Sequence, residues 1–288
     1  MRIACWNWGG KTGVGTVSSD GAELTPLAVG DPSLGALSII EALVRGESLP
    51  PASGVRLPVS AVALQAPLPR PRRNLFCVGR NYHEHASELA TSVFSGSTAD
   101  KDAWPIVFTK VPETVVGPHD LVRMPEASVS VQIDYEGELA VVIGKGGCNI
   151  SRARAMDHVF GYTVVNDVTA RDVQVRHQQW DLGKCFDTFC PMGPWIVTAD
   201  EVDARKTRLR TWVNGEVRQD ASTADMIFDI EALIETCSRG ITLLPGDVIA
   251  TGTAAGVGMG FKPPRWLMAG DVVRIEIDGI GAIENQFE

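Results

Sequence analysis

"QIDYEGELAVVIGK" spans Gln132–Lys145 and joins two patterns that conflict. Leu139, Ala140, Val141, Val142 and Ile143 form the continuous apolar run of a buried β-strand, yet Asp134, Glu136 and Glu138 precede them at alternate positions. Side chains alternate faces along a strand, so Glu136 and Glu138 point one way while Tyr135, Leu139 and Val141 point the other. Two ionised carboxylates on neighbouring same-face positions repel when partly buried. Either one holds a proton or a cation sits between them. Taken alone, the segment also reads as the exposed polar face of an edge strand.

A second stretch, "GYTVVNDVTARDVQ" (Gly161–Gln174), bears on that choice. Its apolar strand, Tyr162 to Val165, ends at Asn166-Asp167, and a helix-like pattern follows. An Asp at such a junction is by itself an N-cap candidate. Beside Glu136 and Glu138 it becomes a third oxygen ligand. Three carboxylates with no His or Cys nearby make a hard-oxygen site suited to Mg²⁺ or Mn²⁺, with Ca²⁺ as a third option, and leave coordination positions for water and substrate.

Working outward, short β-like runs ("NLFCVG", "IVFTKV", "PWIVTA", "LRTWVNG", "DVIATGT", "DVVRIEIDG") outnumber helical patterns ("NYHEHASELA", "TARDVQVRHQQW", "MIFDIEALIETCSRG"). That proportion predicts a β-rich α+β fold rather than a doubly wound sheet. Pro67, Pro69 and Pro71 can neither join a central strand nor continue a helix. The expected division is a small N-terminal α+β domain, residues 1–68, followed by a large domain, residues 69–288.

Composition narrows the functional classes. A chain of 288 residues buries about 75% of the surface that its unfolded form exposes, so a substantial core is available. The net charge of −9 disfavours phosphate backbones and anionic lipid, so neither nucleic acid nor membrane is an expected partner. "PRPRRN", with Arg70, Arg72 and Arg73, reads as a stiff solvated linker. No segment approaches the roughly 18 consecutive apolar residues of a membrane helix, and the expected location is cytoplasmic. Six scattered cysteines without a C-x-x-C pair read as reduced thiols. "GGKTG" lacks the earlier glycine of a phosphate loop, where Cys5 stands, and "GVGTVS" and "GVGMGF" lack the third glycine of a dinucleotide fingerprint.

In order along the chain, "DYEGELAVVIGK", "GYTVVNDVTARDVQ", "GKCFDTFCPMGPW", "VNGEVRQ", "LLPGDVIATGT" and "GVG" resemble the fumarylacetoacetate hydrolase family, in its bacterial branch of small enzymes acting on dioxo acids. The resemblance covers residues 72–288 and implies a mixed β-sandwich or roll as the catalytic domain. It implies that Glu136, Glu138 and Asp167 are divalent-metal ligands and that Lys184 of "GKCFDT" is an active-site lysine. Arg171 and Gln174 would face the carboxylate end of an oxo-acid substrate, with Thr253 of "TGT" helping to hold it. "GRNYHEHASELA" resembles the family's N-Y-x-x-H-x-x-E lid, which matches Asn81, Tyr82, His85 and Glu88 and puts Arg80 and Tyr82 on the substrate side. Residues three apart share a helix face, so Glu88 can orient His85 and raise its basicity. The family is usually dimeric, which implies a homodimer. Ala254 in "TGTAAGVG" and Val111 in "FTKV" depart from prolines common in the family, and the loop "TSVFSGSTADKDAW" is long.

The leading expectation is hydrolysis of a carbon–carbon bond in a 2,4-dioxo acid of the acylpyruvate, fumarylpyruvate or fumarylacetoacetate kind. His85 with Glu88 would activate a water, and Lys184 would stabilise the expelled enolate. The alternative uses the same enolate without water attack: decarboxylation of an oxaloacetate-like acid, or isomerisation of 2-hydroxyhepta-2,4-diene-1,7-dioate. A noncatalytic β-rich module with a structural metal is the reading from another class. Its metal would be saturated by protein ligands and would have no use for the lysine or the His–Glu pair.

Overall fold

The apolar run forms the strand Gly137–Ile143, in which every residue is buried. It pairs antiparallel with Val159–Asn166 on one side and Val248–Thr253 on the other. A central strand covered on both faces has no solvent side, which is why its sequence is continuously hydrophobic rather than alternating. The computed structural model describes residues 1–89, 104–176 and 179–288. Nearly all of the long loop after the lid segment lies outside the described residues.

From that centre the sheet grows in both directions to twelve strands. Val248–Thr253 pairs in parallel with Leu75–Gly79, which pairs with Ile106–Lys110 at one edge. On the other side Val159–Asn166 pairs with Cys190–Thr198, and that strand pairs with Arg2–Trp8. Lys11–Val17, Glu23–Pro26 and Leu57–Pro58 continue from there to the far edge. Residues 1–68 therefore supply strands and one helix, Leu37–Val44, to a sheet that runs unbroken into the larger part of the chain. Ile39 and Ile40 of that helix share a core with Cys77, Phe108 and Val142. The arginines of "PRPRRN" each find a carboxylate: Arg70 pairs with Glu113, Arg72 with Glu41 and Arg73 with Asp247.

A second, antiparallel sheet of four strands (Glu216–Ser222, Arg208–Val213, Val272–Ile277, Gly281–Gln286) lies against the first. Leu209, Val213, Val273, Ile275 and Ile283 from the small sheet pack with Leu139, Val141 and Val164 from the large one. The result is the expected β-rich α+β fold, with two apolar sheet faces burying each other. No helix among the described residues is long and apolar enough to cross a membrane. All six cysteines are free.

Two local details position the site. The alternating segment is not one strand: Ile133–Asp134 and Gly137–Ile143 are separate, with Tyr135 and Glu136 between them. At that break the Asp167 N–H donates to the Glu136 carbonyl at 2.9 Å, and the Glu136 N–H donates to Asn166 Oδ1 at 3.0 Å. Glu136 and Asp167 are thus tied together through the backbone. The second detail concerns the helix expected after Asp167. A short strand, Thr169–Ala170, pairs with Ile133–Asp134 first, and the helix Arg171–Arg176 begins only afterwards. Asp167 is outside the first turn and is not its cap.

Candidate active site

One carboxylate oxygen each from Glu136, Glu138 and Asp167 meet within 4.8 Å of one another, and all three side chains are buried. Lys184, at the end of the short helix Asp181–Lys184, reaches into this group. Its Nζ donates to Glu136 Oε2 at 2.6 Å and to Asp167 Oδ2 at 2.6 Å. Glu138 Oε2 accepts from the Gly252 N–H at 2.9 Å, and no side-chain cation pairs with it among the described residues.

Asp134, the first of the three alternating carboxylates, does a different job. It accepts from Arg171 Nε at 2.9 Å and from the backbone N–H groups of Gly258, at 2.6 Å, and Met259, at 3.1 Å, so it fastens the "GVG" turn to the site. Arg171 also donates to Glu136 Oε1 at 2.5 Å and to Gln174 Oε1 at 3.2 Å.

Four buried carboxylates (Asp134, Glu136, Glu138, Asp167) therefore face three buried cations (Lys110, Arg171, Lys184), which leaves one negative charge uncompensated in a low-dielectric interior. Its burden falls on Glu138. Burial, then the Asp167 and Glu136 charges, push its carboxyl well above the usual range. Glu136 goes the other way: burial works against its ionised form, but Arg171, Lys184 and His85 outweigh burial and hold it below the usual range. For Lys184, burial opposes the charge, yet Asp167 and Glu136 prevail and raise its pKa. Both carboxylates thus favour the ammonium form of that lysine.

These features fit a divalent cation. Asp167 Oδ1 is buried and has no hydrogen-bond donor, so it keeps unspent acceptor capacity. Glu138, when ionised, has no side-chain cation paired with it among the described residues. Mg²⁺ or Mn²⁺, held by Glu136, Glu138 and Asp167, would answer both, and three oxygens are the donor set such ions select.

The cavity in front of the carboxylates brings together most of the residues singled out from sequence. Arg80, His85, Glu136, Glu138, Arg171, Gln174, Lys184 and Thr253 all line it, with Phe108 and Trp180 forming an aromatic wall. The Phe108 and Trp180 rings meet edge-on at 5.3 Å, and Lys184 Nζ lies 4.8 Å from the Phe108 ring centre. His85 is on the helix His83–Leu89, buried, with Nδ1 3.2 Å from Glu88 Oε2, whereas His83 is exposed. Glu88 is itself fixed by the Gly256 N–H at 3.1 Å.

Asn81 anchors the helix entrance. Its side chain donates to the carbonyls of Phe228 and Thr251 and accepts from the Phe228 N–H. Arg80 reaches the cavity through a left-handed backbone turn, φ +55°. Tyr82 is not among the lining residues: it is buried, and its hydroxyl has no hydrogen-bond partner. Burial, followed by the Glu138 and Asp225 charges, raises its pKa. The Thr253 hydroxyl is engaged with the scaffold, donating to the Gly137 carbonyl at 2.9 Å and accepting from Gln219 Nε2 at 2.7 Å. Sequence reasoning missed Gln219, Phe108, Trp180 and Lys110. Strand alternation in "FTKV" puts Phe108 and Lys110 on one face, a signal that was available.

A β-rich fold that gathers buried charge at the wall of a cavity marks a candidate active site. The family described as fumarylacetoacetate (FAA) hydrolase, C-terminal, matches residues 74–288, and the chain belongs to the fumarylacetoacetate hydrolase family. Among its relatives, "Oxaloacetate tautomerase YisK" of Bacillus subtilis is 53% identical over 229 residues, 79% of this chain and 74% of that protein. The solved fumarylacetoacetate hydrolase of Exiguobacterium antarcticum is 40% identical with a TM-score of 0.86, covering 100% of this chain and 99% of the other. The 2-hydroxyhepta-2,4-diene-1,7-dioate isomerase of Mycobacterium marinum is 36% identical with a TM-score of 0.79, covering 100% and 98%.

Proposed function

We propose that this chain is a divalent-metal-dependent tautomerase of small 2-oxo dicarboxylic acids of the oxaloacetate kind. It interconverts keto and enol forms by moving one proton between C3 and the oxygen on C2. The observation that carries the reading is the contrast within the cavity: Lys184 and Arg171 are locked in ion pairs, while His85 has Nδ1 turned to Glu88 and is built to gain and lose a proton. The names of the relatives support enolate chemistry of this type more closely than the carbon–carbon hydrolysis that the motifs first suggested.

Bound at Glu136, Glu138 and Asp167, Mg²⁺ or Mn²⁺ would polarise the 2-oxo group and lower the cost of removing a proton from C3. The remaining work falls to side chains. His85, with Nδ1 oriented by Glu88, takes the C3 proton at Nε2 and hands that same proton to the oxygen on C2, and the two transfers run in the opposite order for ketonisation. Lys184, as the ammonium, donates a hydrogen bond to the oxygen on which negative charge develops. Arg80 and Gln174 present donors to the substrate carboxylates, and the Phe108–Trp180 wall keeps water from the reacting carbon. A C–H bond breaks, an O–H bond forms, and no water is consumed.

The second reading is hydrolysis, which the likeness to the solved Exiguobacterium enzyme supports. It demands that the same His–Glu pair activate a water against a second carbonyl. A homodimer in the cytoplasm is the proposed setting. A panel decides between the reactions: loss of enol-oxaloacetate, release of pyruvate from oxaloacetate, and cleavage of an acylpyruvate, each with Mg²⁺. Enol loss well ahead of the other two is expected; acylpyruvate cleavage as the dominant activity would overturn the tautomerase reading.

A further inference from the structure

We infer that Lys110, outside the cavity, is the positioning residue that holds the Asp167 ligand and Lys184 in register with each other. The inference rests on the three-carboxylate metal site and is independent of which reaction that site runs.

Lys110 ends the edge strand Ile106–Lys110, whose buried positions are Phe108 and Lys110. Edge strands normally turn lysines to water, where they block unwanted pairing. This one is turned inward and is 1% exposed. A buried ammonium is costly unless its hydrogens and its charge are both answered, and the partners here are specific. Lys110 Nζ donates to the Val168 carbonyl at 3.1 Å and to the Lys184 carbonyl. It also stands 2.9 Å from Asp167 Oδ1, close enough for an ion pair but not aligned as a hydrogen bond.

One side chain thereby joins three segments: the edge strand, the turn that carries Asp167, and the end of the helix that carries Lys184. The Asp167 carboxylate is bracketed, with Lys110 beside Oδ1 and Lys184 bonded to Oδ2. Two of the three Lys110 hydrogens go to the carbonyls and the ammonium stands beside Oδ1 without an aligned hydrogen bond, so Oδ1 is steadied by charge and keeps a lone pair for a cation. A ligand oxygen needs that combination of fixed direction and free acceptor capacity. The Lys184 carbonyl lies in the last turn of a four-residue helix, where carbonyls lack intrahelical donors, so the contact from Lys110 also fixes the lysine that bridges Glu136 and Asp167.

The test uses the full chain and Mn²⁺ as the probe. Lys110→Met keeps the length and apolar stem but removes the donors and the charge; Lys110→Gln keeps a donor and removes the charge. Mn²⁺ affinity is measured by titration calorimetry well below the melting temperature, and turnover is measured at saturating metal. Groups that orient metal ligands are typically worth 10–100-fold in metal affinity. Lys110→Met is expected to lose Mn²⁺ affinity in that range and to lower kcat with little change in KM, and Lys110→Gln to recover part of both. A folded Lys110→Met or Lys110→Gln that binds Mn²⁺ like the parent overturns the inference, as does loss of cooperative melting in both variants, which would make Lys110 simply a structural lysine. A parent chain that binds no Mn²⁺ would end the metal reading itself. Normal parental binding with an altered reaction preference would touch only the tautomerase reading.

Discussion

Glu88 Oε2 stands 3.2 Å from His85 Nδ1, and the Gly256 N–H holds Glu88 in place from the other side. The histidine is thus fixed in orientation through a carboxylate anchored to the glycine turn, which in turn is anchored to Asp134 and Arg171. If this histidine carries the proton, His85→Ala lowers ketonisation of enol-oxaloacetate by roughly 10²- to 10⁴-fold, the usual worth of a general base. Mn²⁺ affinity stays at the parental value, because His85 is not a ligand. Stopped-flow absorbance and calorimetry check the two halves, and an undiminished rate would remove His85 from the mechanism.

Lys184 answers two buried carboxylates at once. Replacing it with Met leaves Glu136 and Asp167 facing each other without their shared cation, and breaking a buried pair costs about 3–5 kcal/mol. The metal-free variant is expected to unfold at lower denaturant concentration than the parent, with part of the loss recovered by Mg²⁺ and no recovery of turnover. Parental stability in the presence of EDTA would show that the ion pairs contribute nothing.

Glu138 supplies the opposite case. Burial, Asp167 and Glu136 raise its carboxyl pKa in the folded state. A raised carboxyl contributes stability below its unfolded pKa and loses it as pH rises through the folded value, so the metal-free protein weakens toward neutral pH. Glu138→Gln removes that titration. It should raise metal-free stability at neutral pH and flatten its dependence on pH, while abolishing the stabilisation that Mg²⁺ gives the parent. Thermal melts from pH 5 to 8, with and without EDTA, read both effects, and an unchanged metal response would exclude Glu138 as a ligand.

The site was legible where its chemistry is local in sequence. Glu136 and Glu138 are two apart, His85 and Glu88 three apart, and Asp167 ends a recognisable apolar strand. Helix periodicity places His85 beside Glu88, whereas Glu136 sits in the break before the strand that carries Glu138 and is close to it by short separation rather than by strand alternation. What failed to show was non-local. The pairing of Arg2–Trp8 with Cys190–Thr198 spans most of the chain and has no local signature, so a proline-rich stretch read as a boundary although the sheet runs through both parts. Lys110 carries no local signal of its partners, because Asp167, Val168 and Lys184 lie far along the chain. The partners of Asp134 in the Gly258 turn are equally distant in sequence.

Gly258 illustrates how tightly that turn is closed. A Cβ there would sit 2.3 Å from the Arg265 carbonyl oxygen and 2.7 Å from Asp134 Oδ1. Neither can move freely, since one is backbone and the other is held by Arg171. Gly258→Ala should therefore destabilise the fold by about 1–3 kcal/mol, as overpacking does. Urea unfolding measures it, and parental stability would mean that the turn yields.

The most direct test of the central claim is the rate of enol-oxaloacetate ketonisation by EDTA-treated protein before and after Mg²⁺ or Mn²⁺ is restored, run beside Asp167→Asn. The account predicts that the treated parent is nearly inactive, that either ion restores it, and that folded Asp167→Asn stays inactive with both. Full activity in EDTA, or metal-restored turnover in Asp167→Asn equal to that of the parent, would contradict it.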